Sequence, residues 1–163
     1  MEIERKFLVT EIPDTDDCVK REIEQGYISR DPEIRIRRKG EKHYITFKGE
    51  GDLSRAETEI SISAEEYNEL RAFITSNRVI KKTRTELPLE NGLVAELDEY
   101  HGELEGFYAV EVEFASEEDA AAFEVPVWFG KELTYEGRVK NMNLAYMNDT
   151  DLAALISEII DSK

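Results

Sequence analysis

The chain has 163 residues, 40% of them hydrophobic and 36% charged, with 37 acidic against 21 basic side chains and a net charge of −16. That length suits a single domain spanning 1–163, and the excess of charge over the usual quarter has to be accommodated somewhere other than an ordinary surface. The negative outer field argues against a nucleic-acid binder or a protein drawn to anionic membranes, so an anionic ligand would need a local basic site.

Glu2 to Phe7 reads as a first strand, with Glu2, Glu4 and Lys6 on one face and Ile3, Phe7 and then Val9 on the other. Glu11 to Lys20, acidic and carrying Pro13, reads as a loop. A second strand, Ile23 to Ser29, sets Gln25 and Tyr27 on a common face, and Asp31-Pro32 turns the chain. Ile34 to Arg37 alternates isoleucine with Arg35 and Arg37. After the hairpin loop at Gly40, His43 to Lys48 sets Tyr44, Thr46 and Lys48 opposite Ile45 and Phe47. Arg55 to Ile62 aligns Arg55, Glu57 and Glu59 opposite Ile60 and Ile62.

Ser63 and Glu66 have capping-box spacing, which predicts a helix from about Ala64 to Ser76. Three more strands follow: Val79 to Leu87 with Lys82 and Arg84, Leu93 to Tyr100 with Glu96 and Asp98, and Tyr108 to Phe114 with Glu111 and Glu113. A short acidic helix opens at Ser116, Trp128 to Gly130 reads as a loop or short helix, and Asn141 to Met147 looks helical. Thr150 opens a last amphipathic helix, about 150–161, beyond a core of 1–147.

Eight strands, mostly in hairpin order, predict an antiparallel β-barrel, and amphipathic helices that need an apolar surface predict that the charged faces point inward. The charges are sorted by strand. Acidic pairs stand at Glu2/Glu4, Glu57/Glu59, Glu96/Asp98 and Glu111/Glu113; basic pairs stand at Arg35/Arg37 and Lys82/Arg84, joined by Lys6, Lys48, Arg55, Arg138 and Lys140. Buried ions need partners or ligands. Paired carboxylates ask for a hard divalent cation and the guanidinium forks ask for a polyanion, which together describe a metal-polyphosphate site.

This ordered series resembles the CYTH superfamily, the triphosphate tunnel metalloenzymes. Glu2-x-Glu4-x-Lys6 looks like its ExExK signature, and Arg35-x-Arg37, Thr46-x-Lys48-Gly49, Arg55-x-Glu57-x-Glu59, Lys82-x-Arg84, Glu96-x-Asp98, Glu111-x-Glu113 and Lys140-Asn141 follow in order to about Met147. The resemblance implies an α+β fold, an eight-stranded antiparallel tunnel with a charged interior and helices packed outside. It also implies metal-dependent work on triphosphate compounds with Mg²⁺ or Mn²⁺. Lys6, Arg35, Arg37, Lys48, Arg55, Arg84 and Lys140, with Arg138 from the basic set, would bind the small triphosphate. Glu2, Glu4, Asp98, Glu111 and Glu113 would hold metal, with Glu57, Glu59 and Glu96 as outer support or further ligands. Lys82, helped by a hydrogen bond from Tyr27, would act as base.

Within that superfamily, Lys82-Thr83-Arg84 and Gln25-Gly26-Tyr27 resemble the short bacterial tripolyphosphatases, which act on tripolyphosphate to give pyrophosphate and phosphate. The alternatives are an adenylyl cyclase of the class IV type, a thiamine triphosphatase, or a non-catalytic module that binds nucleotide or polyphosphate. Trp128 beside Phe129 is read as packing, and His43 and His101 lack partners at zinc spacing. The single Cys18 and the absence of a signal-like start fit a soluble, cytoplasmic protein, with no nucleic-acid or membrane partner and a homodimer left open.

Overall fold

The computed structural model describes residues 1–162. Ten strands and four α-helices follow in order among them: β1 Glu2–Val9, β2 Val19–Arg30, β3 Glu33–Lys39, β4 Lys42–Lys48, β5 Ser54–Arg55, β6 Glu57–Ile62, α1 Ala64–Arg71, β7 Ile80–Pro88, β8 Val94–Tyr100, β9 Tyr108–Glu113, α2 Glu117–Ala122, β10 Phe129–Glu132, α3 Asn141–Tyr146 and α4 Asp149–Asp161. The sheet runs β10-β1-β9-β8-β7-β2-β3-β4-β6. Each neighbouring pair is antiparallel.

β5 and β6 are one strand interrupted at Ala56. Its second part pairs with β4 (Lys48↔Glu57) and its first with β1 (Glu2↔Arg55), which brings the two ends of the sheet together into a nearly closed barrel. The eight strands expected from alternation are the barrel wall. Closure satisfies edge hydrogen bonds that would otherwise be open to another chain.

Outward residues make one apolar layer: Phe7, Val9, Leu97, Val110 and Val112 pack with Phe114, Ala120 of α2 and Phe129 of β10. A second cluster stoppers one end of the barrel. There the inward-facing rows finish in Leu8, Tyr27, Ile80, Tyr100 and Ala109, packed with Leu144 of α3 and Leu152, Leu155, Ile156 and Ile159 of α4. Those four α4 residues recur at helical spacing, and each buried side chain contributes roughly 1.5–3 kcal/mol.

Several boundaries differ from the sequence reading, each for a local reason. Trp128 to Gly130 enters a strand, because β10 takes the edge of β1 that β5 leaves open (Phe7↔Glu132, Val9↔Phe129). β2 starts at Val19 rather than Ile23, since Val19 already pairs with Glu86. The capping box of α1 is formed, but the helix stops at Arg71 and tightens into i→i−3 bonds from Ala72, Phe73 and Ile74. That turn lays Ile74 over Gly26, where a Cβ would collide with Ile74 Cδ1. α4 is capped by Asn148, whose side chain accepts from Asp151 N at 2.8 Å, rather than opened at Thr150.

Candidate active site

Alternation along β3 sends Glu33, Arg35, Arg37 and Lys39 into the barrel, where they line a cavity of about 450 Å³. Cross-strand pairing arranges this basic side in levels: Glu33–Lys48–Glu57, then Tyr27–Arg35–Thr46–Glu59, then Gln25–Arg37–Tyr44. The opposite wall comes from β1 and β9, in which Glu4 faces Glu113 and Lys6 faces Glu111. Glu2, Glu4, Lys6, Glu111 and Glu113 line the cavity, as do Lys48, Arg55, Glu57, Glu59, Arg84, Glu96 and Lys140.

The cations are held in place but incompletely satisfied. Lys48 Nζ donates to Glu2 Oε1 at 3.1 Å, and Arg55 is shared between Glu33 at 3.3 Å and Glu2 at 3.8 Å. Arg37 Nε donates to Gln25 Oε1 at 3.1 Å, and Gln25 Nε2 in turn donates to the Tyr27 hydroxyl at 3.1 Å. Arg35 NH2 reaches Thr46 Oγ1 at 3.3 Å and Glu59 at 3.8 Å. Its Nε is the one buried side-chain nitrogen or oxygen among the described residues with no hydrogen-bond partner. That nitrogen is sealed from the cavity, but a wall carrying Arg35, Arg37, Lys39, Lys48 and Arg55 points to an anionic ligand.

The acidic wall is loaded in the opposite sense. Burial pushes Glu4 well above the usual carboxyl range, and Glu111 and Glu2 push it further. Its hydrogen-bonded partner Glu111 is itself opposed by burial, yet Lys6 and Arg84 hold it well below that range. Glu57 and Glu2 form a second such pair, Glu57 raised by burial and by Glu2, and Glu2 lowered by Lys48 against its burial. Glu113 is raised by burial and by Glu2 and Glu96. Two carboxyl pairs that each share a proton occupy a place where a divalent cation would do the same electrostatic work, so this donor set fits a hard metal ion. Among the described residues no three such side chains already converge as a preformed ligand cluster.

Three expected site residues lie elsewhere. Asp98 is fully buried deeper in the barrel, toward the apolar stopper, and its oxygens accept from Lys82 Nζ and from Arg84 Nε and NH2, each at 2.8 Å, so it is committed to cations rather than presented to the cavity. Lys82 is 0% exposed and does not line the cavity; its hydrogen-bond partner is Asp98, not Tyr27. Burial, more than Arg84, pulls its pKa down to about 7 against the pull of Asp98. Arg138 is 51% exposed and does not line the cavity, paired instead with Glu136 at 2.9 Å and Glu158 at 3.1 Å. Lys140 reaches the rim, where it holds Asp52 at 2.7 Å and the carbonyl of Gly51 at 3.1 Å.

Glu33, Lys39, Asp52 and Glu136 line the cavity without having been singled out in the sequence. Glu33 and Lys39 carry a signal that could have found them, since both stand in phase with Arg35 and Arg37. Asp52 and Glu136 lie in connections, where no periodicity operates.

Residues 1–129 match the CYTH domain. The chain belongs to the CYTH family. It is 42% identical over 147 residues to the inorganic triphosphatase of Nitrosomonas europaea, covering 88% of this chain and 96% of that one. It is 36% identical over 148 residues to the inorganic triphosphatase of Acetivibrio thermocellus, covering 88% and 92%. A crystal structure of an inorganic triphosphatase superimposes with a TM-score of 0.67 at 37% identity, covering 91% of this CYTH chain and 96% of the other.

Proposed function

We propose that this CYTH protein is a metal-dependent inorganic triphosphatase that hydrolyses tripolyphosphate to pyrophosphate and phosphate with Mg²⁺ or Mn²⁺. The observation that carries the reading is a cavity divided into a cationic side lined by Arg35, Arg37, Lys48 and Arg55 and an acidic side with proton-sharing glutamates. The similarity to two curated inorganic triphosphatases over nearly their whole length supports it. Tyr27 is the one aromatic side chain among the described lining residues, and it is buried in the apolar stopper, so the wall offers no free ring for a nucleobase to stack on.

Phosphoryl transfer asks mainly for positioning and for neutralisation of developing charge. Arg35, Arg37, Lys48 and Arg55 would take the phosphate oxygens, with Lys6 and Arg84 completing the cradle between the two walls. Glu2, Glu4, Glu111 and Glu113, with Glu57, Glu59 and Glu96 around them, would hold a divalent cation, which would supply charge neutralisation on those oxygens. Tyr27, pushed up to about 12 by burial, stays protonated and can donate from the cavity floor. Lys82 acts from deeper in the barrel: together with Arg84 it fixes Asp98, so we assign it to positioning Arg84 rather than to direct proton transfer.

The test is phosphate release from tripolyphosphate, ATP and thiamine triphosphate side by side, with Mg²⁺ or Mn²⁺, and Glu4→Gln as control. Metal-dependent release from tripolyphosphate well above the other two, lost in the variant, is expected. Conversion of ATP to cyclic AMP and pyrophosphate, with tripolyphosphate untouched, would overturn the reading in favour of a cyclase.

A further inference from the structure

The basic face of β3 extends one rung past the residues assigned to the triphosphate. Lys39 stands in phase with Arg35 and Arg37 and lines the same cavity, in the level Ile23–Lys39–Lys42, two residues or roughly 7 Å of strand beyond Arg37. Of that level, Lys39 alone lines the cavity. Its ammonium lies 3.8 Å from Glu86 Oε1, but that oxygen already accepts from Arg21 NH1 at 2.9 Å. Lys39 is thus a weakly engaged cation in a chain of cations, and burial together with Arg84 and Arg37 lowers its pKa.

The direction of the cavity gives this rung its meaning. On β2 the apolar stopper is reached at Tyr27, in the Arg35 level, so the rungs of Arg37 and Lys39 run away from the stoppered end of that strand. A linear phosphate seated on Arg35 and Arg37 that lengthens along β3, away from Glu33, meets Lys39 as the next cation.

We propose that Lys39 forms an additional anionic subsite that binds the phosphate beyond a seated triphosphate, and so sets the length of linear phosphate this protein accepts, with tetrapolyphosphate as the ligand it distinguishes. This rests on the proposed triphosphatase function and deepens it. Glu86 acts as the resting partner of Lys39 and remains paired with Arg21 when Lys39 turns to the ligand. Replacing Lys39 leaves the Arg21–Glu86 pair intact, so the fold is not put at risk.

The experiment compares the wild type with Lys39→Gln and Lys39→Arg in two readouts: kcat/KM for tripolyphosphate and tetrapolyphosphate with Mg²⁺, and the thermal shift produced by each phosphate without metal. In Lys39→Gln, kcat/KM for tetrapolyphosphate is expected to fall about tenfold more than that for tripolyphosphate, the scale of one charge-assisted contact in a partly open site. The extra thermal protection by tetrapolyphosphate should vanish with it, and Lys39→Arg should keep both. Equal changes for the two substrates, or none, would overturn the subsite. If no phosphate is turned over but tetrapolyphosphate still protects through Lys39, the subsite stands and the hydrolase reading fails. Absence of both turnover and protection overturns both.

Discussion

Asp98→Asn removes one charge and no volume from the most buried ionic group in the protein. Its carboxylate and the Lys82 ammonium are both 0% exposed, Arg84 is 5% exposed, and three hydrogen bonds of 2.8 Å join them. The substitution leaves two cations facing each other deep in the barrel, and breaking a buried pair in this way costs about 3–5 kcal/mol. At about 3 °C per kcal/mol for a domain of this size, the melting temperature should fall by roughly 9–15 °C. The deficit should depend on pH. Lys82 titrates at about 7 in the fold, far below the unfolded value near 10.4, so the unfolded chain binds more protons between those values and stability gained from this group rises with pH across that window. Without Asp98, which holds the Lys82 pKa up, Lys82 sheds its proton at still lower pH and relieves the repulsion, leaving Arg84 with Glu96 at 3.0 Å. Urea unfolding at about pH 5.5 and pH 8.5 should therefore show the larger loss at the lower pH. A loss under about 1 kcal/mol, or one that is the same at both pH values, would refute this account of the Lys82–Asp98–Arg84 group.

Other outcomes follow from the same geometry. Because Glu4 keeps its proton well above the usual carboxyl range, Mg²⁺ has to displace that proton, and affinity should weaken as pH falls. The Mg²⁺-induced thermal shift should be larger at about pH 8 than at about pH 5.5 and should largely disappear in Glu4→Gln; a shift independent of pH would contradict the shared-proton pair. Gly26→Ala should cost no more than about 1 kcal/mol, because only the Cδ1 end of the half-buried Ile74 has to move, and Ile74→Val, which deletes that carbon, should remove the cost in the double variant by chemical denaturation.

Much of this fold is legible because a strand has a period of two and the chain obeys it wherever one wall faces charge and the other faces packing. Arg35 and Arg37 could be set inside, and Glu111 and Glu113 opposite them, from alternation and sign alone. What alternation cannot show is depth. Asp98 and Lys82 are in phase with Glu96 and Arg84, but they lie deeper toward the apolar stopper, and only three-dimensional pairing shows that they neutralise each other. Arg138 has no strand to set its direction: it lies in a turn just before Lys140, held by Glu136 at the cavity edge and by Glu158 of α4. β10 escaped notice because four residues give too short a period, and its existence depends on the free edge of β1.

The central claim, that the divided cavity positions a linear triphosphate for metal-assisted hydrolysis, is most directly tested by following tripolyphosphate by phosphorus NMR in the presence of Mg²⁺. The expected result is the appearance of phosphate and pyrophosphate in equal amounts, abolished by a chelator and by Glu4→Gln in a variant that still folds. Tripolyphosphate left intact by the folded wild-type protein with metal present would contradict it.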